Sequence, residues 1–366
     1  MATKTFDNAK RNKADEFYTQ WIDIEKEVQA YLEFNPNVFK GKTILCPCDD
    51  PYESNFFKYF ALSFNDLGLK KLIATCYIGS PIASTQLTLF KDEPEDNKTT
   101  RVPHKIEITE VKDYNKDLAI DLLDVEWLLE NKKNVLTRLN GDGDFRSDEI
   151  KKLRDNADFI ITNPPFSLFR EFIPWIMEAK KQFLVIGNMN AISYKEIFPL
   201  IKDNRMWLGL AFGRDFQGFI IPESYPLSGS EARIDEHGNR IVSTNNTIWL
   251  TNIDHGRRHQ LIPFMTMAKN LKHSKHKEIR GKKSYDKYDN YDAIEVPFTD
   301  AIPADYDGTM GVPISFLHKY CPEQFEIIKF RKGDDDKDLS IDGKCPYFRI
   351  LIKNKTMRQE YSCGKR

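Results

Sequence analysis

Between residues 42 and 222 the chain alternates short apolar runs with helical patterns, and that alternation leaves few folds open. "KTILCPC" (42–48), "KKLIATCYI" (70–78), "NVLTRL" (134–139), "ADFIIT" (157–162), "QFLVIGN" (182–188), "MWLGLAFG" (206–213) and "GFIIP" (218–222) read as strands. Between them "NFFKYFALSFNDLGL", "LAIDLLDVEWLL", "LFREFIPWIMEAKK" (kinked or broken near Pro174) and "YKEIFPLIKD" carry apolar residues at helical spacing. Strands alternating with helices predict an α/β fold with a doubly wound, mostly parallel, Rossmann-like sheet.

Around this core the pattern changes. Residues 14–34 place Trp21, Ile24, Val28 and Leu32 on one helical face, giving an N-terminal segment over 1–40. The central domain is expected over 41–222, with residues 79–117 making an irregular, charged excursion over the sheet that contains one short strand near "KIEITEV". After 222 the rhythm is lost, and residues 223–366 read as a separate α+β region. The polar start of the chain does not look like a signal peptide, and no apolar run reaches the roughly 20 residues of a membrane span. Six scattered cysteines (Cys46, Cys48, Cys76, Cys321, Cys345, Cys363) in a chain of 366 residues point to reduced thiols and a cytoplasmic location.

The most informative motif is "IITNPPFSLF" (160–169). Two consecutive prolines stop a strand ladder, so the stretch reads as strand, rigid turn, helix. Asn163 and Phe166 then stand at the carboxyl end of a strand, where open α/β sheets bind their ligands. A stiff connector is the bland reading. The functional one starts from two acceptors on one frozen turn, the Asn163 side chain and the Pro164 carbonyl. Together they suit an exocyclic amine bearing two N–H groups. Drawing on both hydrogens frees the nitrogen lone pair for attack on an electrophile. Pro165 stiffens the turn, and Phe166 offers a face for the ring to stack on. The arrangement needs no metal, and the matching electrophile is the sulfonium methyl of S-adenosylmethionine.

Other motifs have plainer readings beside the functional ones. "CDDP" (48–51) ends the first strand with Asp49 and Asp50, which read either as a turn and helix cap or as an anchor for a cofactor's ammonium or ribose. The glycine-rich loop of dinucleotide folds is missing, and no acidic residue ends the second strand, where "TCYIGS" stands. "NGDGDFRS" (140–147) has Asn140, Asp142 and Asp144 alternating as in a calcium loop. Phe145 replaces the glycine and Lys151 the final glutamate, so calcium is rejected. Asp144 is expected to accept from an adenine amine and Phe145 to line an adenine pocket. "CPC" (46–48) lacks the spacing and partner pair of a zinc knuckle, and its cysteines read as buried strand residues.

Taken together, "DEFYTQ" (15–20), "CDDP…SNFFKYF" (48–60), "GDGDFRS" (141–147), "TNPPFSLF" (162–169), "GTMGVPISFLHKYCPEQFEIIKF" (308–330) and "GKCPYFRILIKN" (343–354) resemble the EcoRI-type adenine-N6 DNA methyltransferases of the gamma arrangement. The resemblance spans nearly the whole chain. It implies S-adenosylmethionine as methyl donor, a flipped-out adenine in duplex DNA as acceptor, and the modification role in a restriction–modification system. It also implies Asn163, Pro164, Pro165 and Phe166 at the target base, and Asp49, Asp50, Asp144 and Phe145 at the cofactor. Phe17, Tyr18 and Thr19 would close over the cofactor's methionine end, and 223–366 would recognise the target, GAATTC methylated at the inner adenine. A companion endonuclease acting on the same site is implied, without a stable complex.

Two rivals remain at this stage. One is a methyltransferase for another amine, a glutamine side chain or an RNA guanine; the other is a non-catalytic DNA-binding regulator. The large C-terminal region argues for a duplex over a peptide, and the intact Asn163–Phe166 pair argues for catalysis. With net charge −1, a duplex must meet a local basic surface. Ten Lys or Arg residues lie between Arg257 and Lys287, opposed only by Glu278 and Asp286. Arg257, Arg258, Lys275, Lys277, Lys282 and Lys283 are the expected phosphate contacts, on a loop expected to be mobile because it has few large apolar residues.

Overall fold

The structure, a computed structural model, describes residues 18–50, 54–76, 103–117, 119–131, 136–221, 227, 232–243, 246–331, 339–344 and 348–355. Phe17 lies outside them, and for Tyr18 only the backbone is described. The chain divides into two compact units, Met1–Ala191 with Leu208–Ile253, and Ile192–Trp207 with Asp254–Arg366.

The first unit is built on an eight-stranded sheet. In chain order its strands are β2 (Thr43–Cys46), β3 (Lys71–Thr75), β4 (His104–Ile108), β5 (Leu136–Arg138), β6 (Phe159–Thr162), β7 (Gln182–Asn188), β8 (Trp207–Phe212) and β12 (Thr247–Thr251), and across the sheet they run β5-β4-β3-β2-β6-β7-β12-β8. β3, β2, β6 and β7 are mutually parallel; β4 runs against β3 and β5 against β4, so β5 again shares the common direction. β12 is antiparallel to β7. The central strands "TILC" and "FIIT" are buried at every position, as strands covered on both faces must be.

The covering helices are α1 (Trp21–Phe34), α2 (Asn55–Leu62), α3 (Leu122–Asn131), α4 (Asp148–Asn156) and α5 (Phe169–Glu178). Ile24, Val28 and Tyr31 of α1 join Phe56, Phe57 and Phe60 of α2, Phe39, Phe159 and Trp249 in one core cluster. α5 runs through Pro174 without breaking at it. α1 also carries two buried acids that bond backbone. Glu27 accepts from the N–H groups of Leu210 and Ala211 and from the Tyr31 hydroxyl, and Asp23 accepts from the Gln217 N–H. A side chain at Gly209 would collide with Glu27 and Trp249, so glycine is required for this close approach.

Three elements differ from the sequence expectation. The piece near "KIEITEV" is no excursion: β4 pairs along its length with β3 and β5 inside the sheet. "GFIIP" contributes β9 (Phe219–Ile220) to a separate antiparallel sheet, β1 (Tyr18–Thr19)-β9-β11 (Arg240–Val242)-β10 (Arg233–Ile234). The break expected at 222 falls instead after Ile253, because "TIWLT" is a fully buried strand of the central sheet. Its neighbours are polar and loop-like, which hid its place in the core.

The second unit has helix α7 (Met267–His273), the short helix α6 (Phe198–Lys202), and a four-stranded sheet of β13 (Ile294–Glu295), β14 (Met310–Val312), β16 (Arg349–Asn354) and β15 (Phe325–Arg331), in that order. Phe316, Phe325, Ile350, Leu351 and Ile352 are buried in it. Buried Glu295 receives both the Tyr288 hydroxyl and the Arg349 guanidinium.

Candidate active site

β2 and β6 are parallel neighbours, so the segments that follow them emerge side by side at the carboxyl edge of the sheet. Asp49 follows β2 and is 4 % exposed. One of its carboxylate oxygens accepts from Ser54 Oγ and the other from Thr162 Oγ1, each at 2.5 Å. Ser54 caps α2 by accepting from the N–H groups of Phe56 and Phe57. Thr162 is the residue immediately before Asn163. Asp49 therefore ties the start of α2 to the end of β6. Burial pushes its carboxyl up to about 7, against the lowering effect of the two hydroxyl bonds. Asp49 is thus neither the helix cap nor an open anchor. The cap is Ser54, and the capping preference of serine ahead of "NFFKYF" was the signal for it.

Asn163, Pro164 and Pro165 are buried at the end of β6. Pro165 is extended at φ −56° and ψ 120°, and its carbonyl accepts from the Leu168 N–H at 3.0 Å. A single 3-10 turn, Phe166–Leu168, then leads into α5. The rigid strand–turn–helix predicted from the prolines is what forms. Phe166 is half-buried, with its ring edge-on to Phe219 of β9 at 6.1 Å. Sequence reasoning missed Phe219, since "GFII" reads as an ordinary core strand.

β1 pairs with β9, register Thr19 to Phe219, which brings Thr19 to the same region. The Thr19 carbonyl accepts from Asn55 Nδ2 at 2.7 Å, so this segment is fastened to the start of α2. Thr19 is 3 % exposed, and its hydroxyl is buried without a hydrogen-bond partner. A buried, unsatisfied hydroxyl next to a helix start is suited to a polar ligand. Asp50 is half-buried beside Asp49, and its carbonyl accepts from the Ser54 N–H.

After β5, Asp144 and Phe145 are already engaged. Arg146 reaches the Asp144 carboxylate through its backbone N–H, Nε and Nη2, and pairs with Glu171 of α5 at 2.8 Å. The side-chain bonds from Arg146 hold the Asp144 carboxyl below the usual range. Phe145 is 4 % exposed, edge-on to Phe172 and Trp175 of α5, so its ring is a core contact.

The basic stretch, in the second unit, corrects two expectations. Arg258 is 6 % exposed; it bonds Asp254 and Asn204 and stacks on Trp207 at 3.7 Å, so it belongs to the core and is withdrawn from any phosphate. The stretch is also a folded element. Thr266 caps α7, Asn270 donates to the Ala301 carbonyl, Tyr285 donates to the same carbonyl at 2.6 Å, and His276 stacks on Phe298 at 3.7 Å. Lys275, Lys277, Lys282 and Lys283 are exposed; Lys275 pairs with Asp300 and Lys282 with Asp286.

An α/β sheet with a rigid asparagine–proline turn and buried polar groups at its carboxyl edge fits a methyltransferase of the amine-modifying kind. The particular family follows from comparison: the model for the adenine-specific methyltransferase EcoRI matches residues 5–355, and the chain belongs to that family. It is 49 % identical to the Type II methyltransferase M.EcoRI of Escherichia coli, over 97 % of this chain and 98 % of that protein. It is 33 % identical to M.MpnI of Mycoplasma pneumoniae (96 % and 98 %) and 31 % identical to M.MgeORF184P of Mycoplasma genitalium (95 % and 98 %), both Type II methyltransferases. No solved structure matches the chain. The protein is a DNA adenine methyltransferase, and family membership implies S-adenosylmethionine as its methyl donor and double-stranded DNA as its substrate. Among the described residues, no helix is long and apolar enough to cross a membrane.

Proposed function

We propose that the protein methylates N6 of the inner adenine in GAATTC, after the adenine has left the duplex, at a site formed by Asn163, Pro164, Pro165 and Phe166. The observation that carries this reading is the fixed turn after β6, bolted through Thr162 and Asp49 to α2. S-adenosylmethionine, when bound, supplies an electrophilic methyl group. Asn163 Oδ1 and the Pro164 carbonyl accept the two hydrogens of the target amine, which raises the nitrogen's nucleophilicity without a metal. Phe166, backed by Phe219, stacks on the extruded ring. Adenine N6 is paired inside the duplex, so extrusion is required before the turn can reach it.

Thr19 and Asp50 are the residues best suited to hold the donor's polar groups, with Phe17 and Tyr18 in the closing segment. The buried Thr19 hydroxyl supports this. Asp49 positions both walls rather than touching the donor. Asp144 and Phe145 form the loop after β5 at the adenine end, where Arg146 and α5 fix its shape. Lys275, Lys277, Lys282, Lys283 and Arg257 meet phosphates, and the second unit reads the target. A companion endonuclease cutting the same sequence, in the same cytoplasm, completes the modification role.

Target and base extrusion are tested together. Plasmid DNA incubated with the protein and donor is challenged with a nuclease that cuts GAATTC. Resistance is expected, and full cutting alongside methyl incorporation elsewhere overturns the target. A mismatch opposite the inner adenine should tighten binding, and unchanged or weaker binding overturns extrusion.

A further inference from the structure

Thr19 and Phe219 are paired residues of β1 and β9, the one placed at the donor and the other behind the ring that takes the target base. Both are buried, at 3 % and 0 % exposure, and directly opposed residues of an antiparallel pair lie on one face of the sheet. A single strand pair thus serves the two sites that methyl transfer must bring together. The turn that leads into β9 is held by side chains from elsewhere in the fold. The Gln217 N–H donates to both carboxylate oxygens of Asp23, at 3.1 and 3.0 Å. The Gln217 carbonyl accepts from Ser243 Oγ at 3.0 Å and from Arg233 Nη2 at 2.8 Å, and Gln20 Nε2 donates to the Gly218 carbonyl at 3.1 Å. Gly218 stands at φ 107°, where a side chain would also strike Ser243 and the Val242 carbonyl, so glycine is required. Phe216 and Phe219 flank the turn and pack together at 5.3 Å.

We propose, resting on the placement of Thr19 at the donor and Phe166 at the target base, that Gln20, Asp23 and Ser243 are positioning residues for methyl transfer. They clamp the Gln217–Gly218 turn, and so set Phe219 against Phe166 and Thr19 against the donor together. Gln20 and Asp23 belong to the start of α1, 198 and 194 positions before the carbonyl and the N–H that they hold. A turn that needed only closure would draw on its own loop, as the Asp235 turn does by accepting from the His237 and Asn239 N–H groups. Here the segment that follows Thr19 supplies the partners. A shift of that segment away from the donor therefore carries the turn, and Phe219 with it. Asp23 is 2 % exposed and Ser243 9 %, whereas Arg233 is exposed and its charge is screened by water, so the buried pair carries most of the clamp.

The test measures rates at saturating donor and DNA, on a substrate that the wild type methylates, and donor affinity by titration without DNA. Asp23→Ala should lower the maximal rate about fivefold, the worth of one hydrogen bond, and weaken donor binding by a similar factor. Asp23→Asn, whose amide oxygen still accepts from the Gln217 N–H, should recover most of both. Gln20→Ala should repeat the double effect on a smaller scale, and it stands in if Asp23→Ala fails to fold. In a Phe166→Ala background the rate loss from Asp23→Ala should shrink below about twofold, because the ring it positions is gone. A role in folding alone would lower the rate equally in both backgrounds. Equal losses there, an effect confined to the rate or to donor affinity, or no effect of either substitution overturns the clamp. Asn163→Ala, assayed alongside, should lose rate while keeping donor affinity; full activity in it overturns the Asn163 turn, whereas the clamp is judged by the Asp23 and Gln20 results.

Discussion

At the turn from Asn163 to Phe166, two prolines and the end of a buried strand fix the geometry within four residues. From Arg257 to Lys287 the order comes from a distance: Asn270 and Tyr285 bond a carbonyl 31 and 16 positions away, and His276 bonds Asp300, 24 positions on. The proline turn declares its shape locally because proline removes backbone freedom. The basic stretch reads as a mobile charged loop because its anchors are single polar or aromatic residues whose partners lie in later strands and turns. Chemistry that needs fixed acceptors is written in short motifs. A charged surface needs only a scaffold, and that scaffold is distributed.

Breaking the proline turn should have the larger effect. Asn163→Ala removes one oriented acceptor, so methyl transfer should fall at least about 100-fold, on the order of 3 kcal/mol, with donor affinity within a few-fold of wild type. Initial rates and a donor titration check this. Phe166→Ala should lose on the order of tenfold, about one stacking contact, and Phe166→Trp should keep more because a stacking face remains. Equal rates for the two variants would remove stacking from the account.

The basic stretch separates buried from exposed cations. Arg258→Ala should cost on the order of 2 kcal/mol of stability, because it leaves a packed cleft beside Trp207 and frees Asp254, yet leave the salt dependence of DNA binding unchanged. Replacing Lys275, Lys277, Lys282 and Lys283 with Gln should do the reverse. If about five cations meet phosphates, log affinity should fall with log salt at a slope near −4.5, and the quadruple variant should flatten it for specific and non-specific duplexes alike. Lys277 and Lys283 should account for more of the change than the ion-paired Lys275 and Lys282. An unaltered slope would move the DNA elsewhere.

The smallest effect concerns Asp49 and pH. Its folded carboxyl stands at about 7, above its unfolded value, so the fold holds its proton where the unfolded chain has released it. The stability it contributes is full below about pH 4 and is lost as pH rises through 7. Asp23, raised likewise to about 7, adds a parallel loss. Asp49→Asn cannot ionise, so the gap in unfolding free energy between wild type and variant should shift against wild type from pH 4 to 7. A constant gap would mean that Asp49 keeps its charge in the fold.

Much of the first unit was legible because its signals are periodic: buried strands alternate with helices, and Ser54 and the two prolines punctuate them. What stayed hidden depends on pairing across the sheet. β12 is polar at both ends, β4 lies within a charged stretch, and Phe219 gains its role only because β9 pairs with the N-terminal segment. Asp144 and Phe145 have partners that their spacing does not announce, since Arg146 takes up the carboxylate and α5 the ring. Arg258 reads as one more surface cation until Trp207 and Asp254 enclose it.

Methyl transfer to adenine in DNA should depend on the Asn163 turn. Nucleosides released from the genomic DNA of a host expressing the protein, and lacking other adenine methylation, test it directly. N6-methyldeoxyadenosine should be present with the wild-type chain and at background with Asn163→Ala expressed to the same level. Equal amounts from both chains, or none from wild type, would contradict the account.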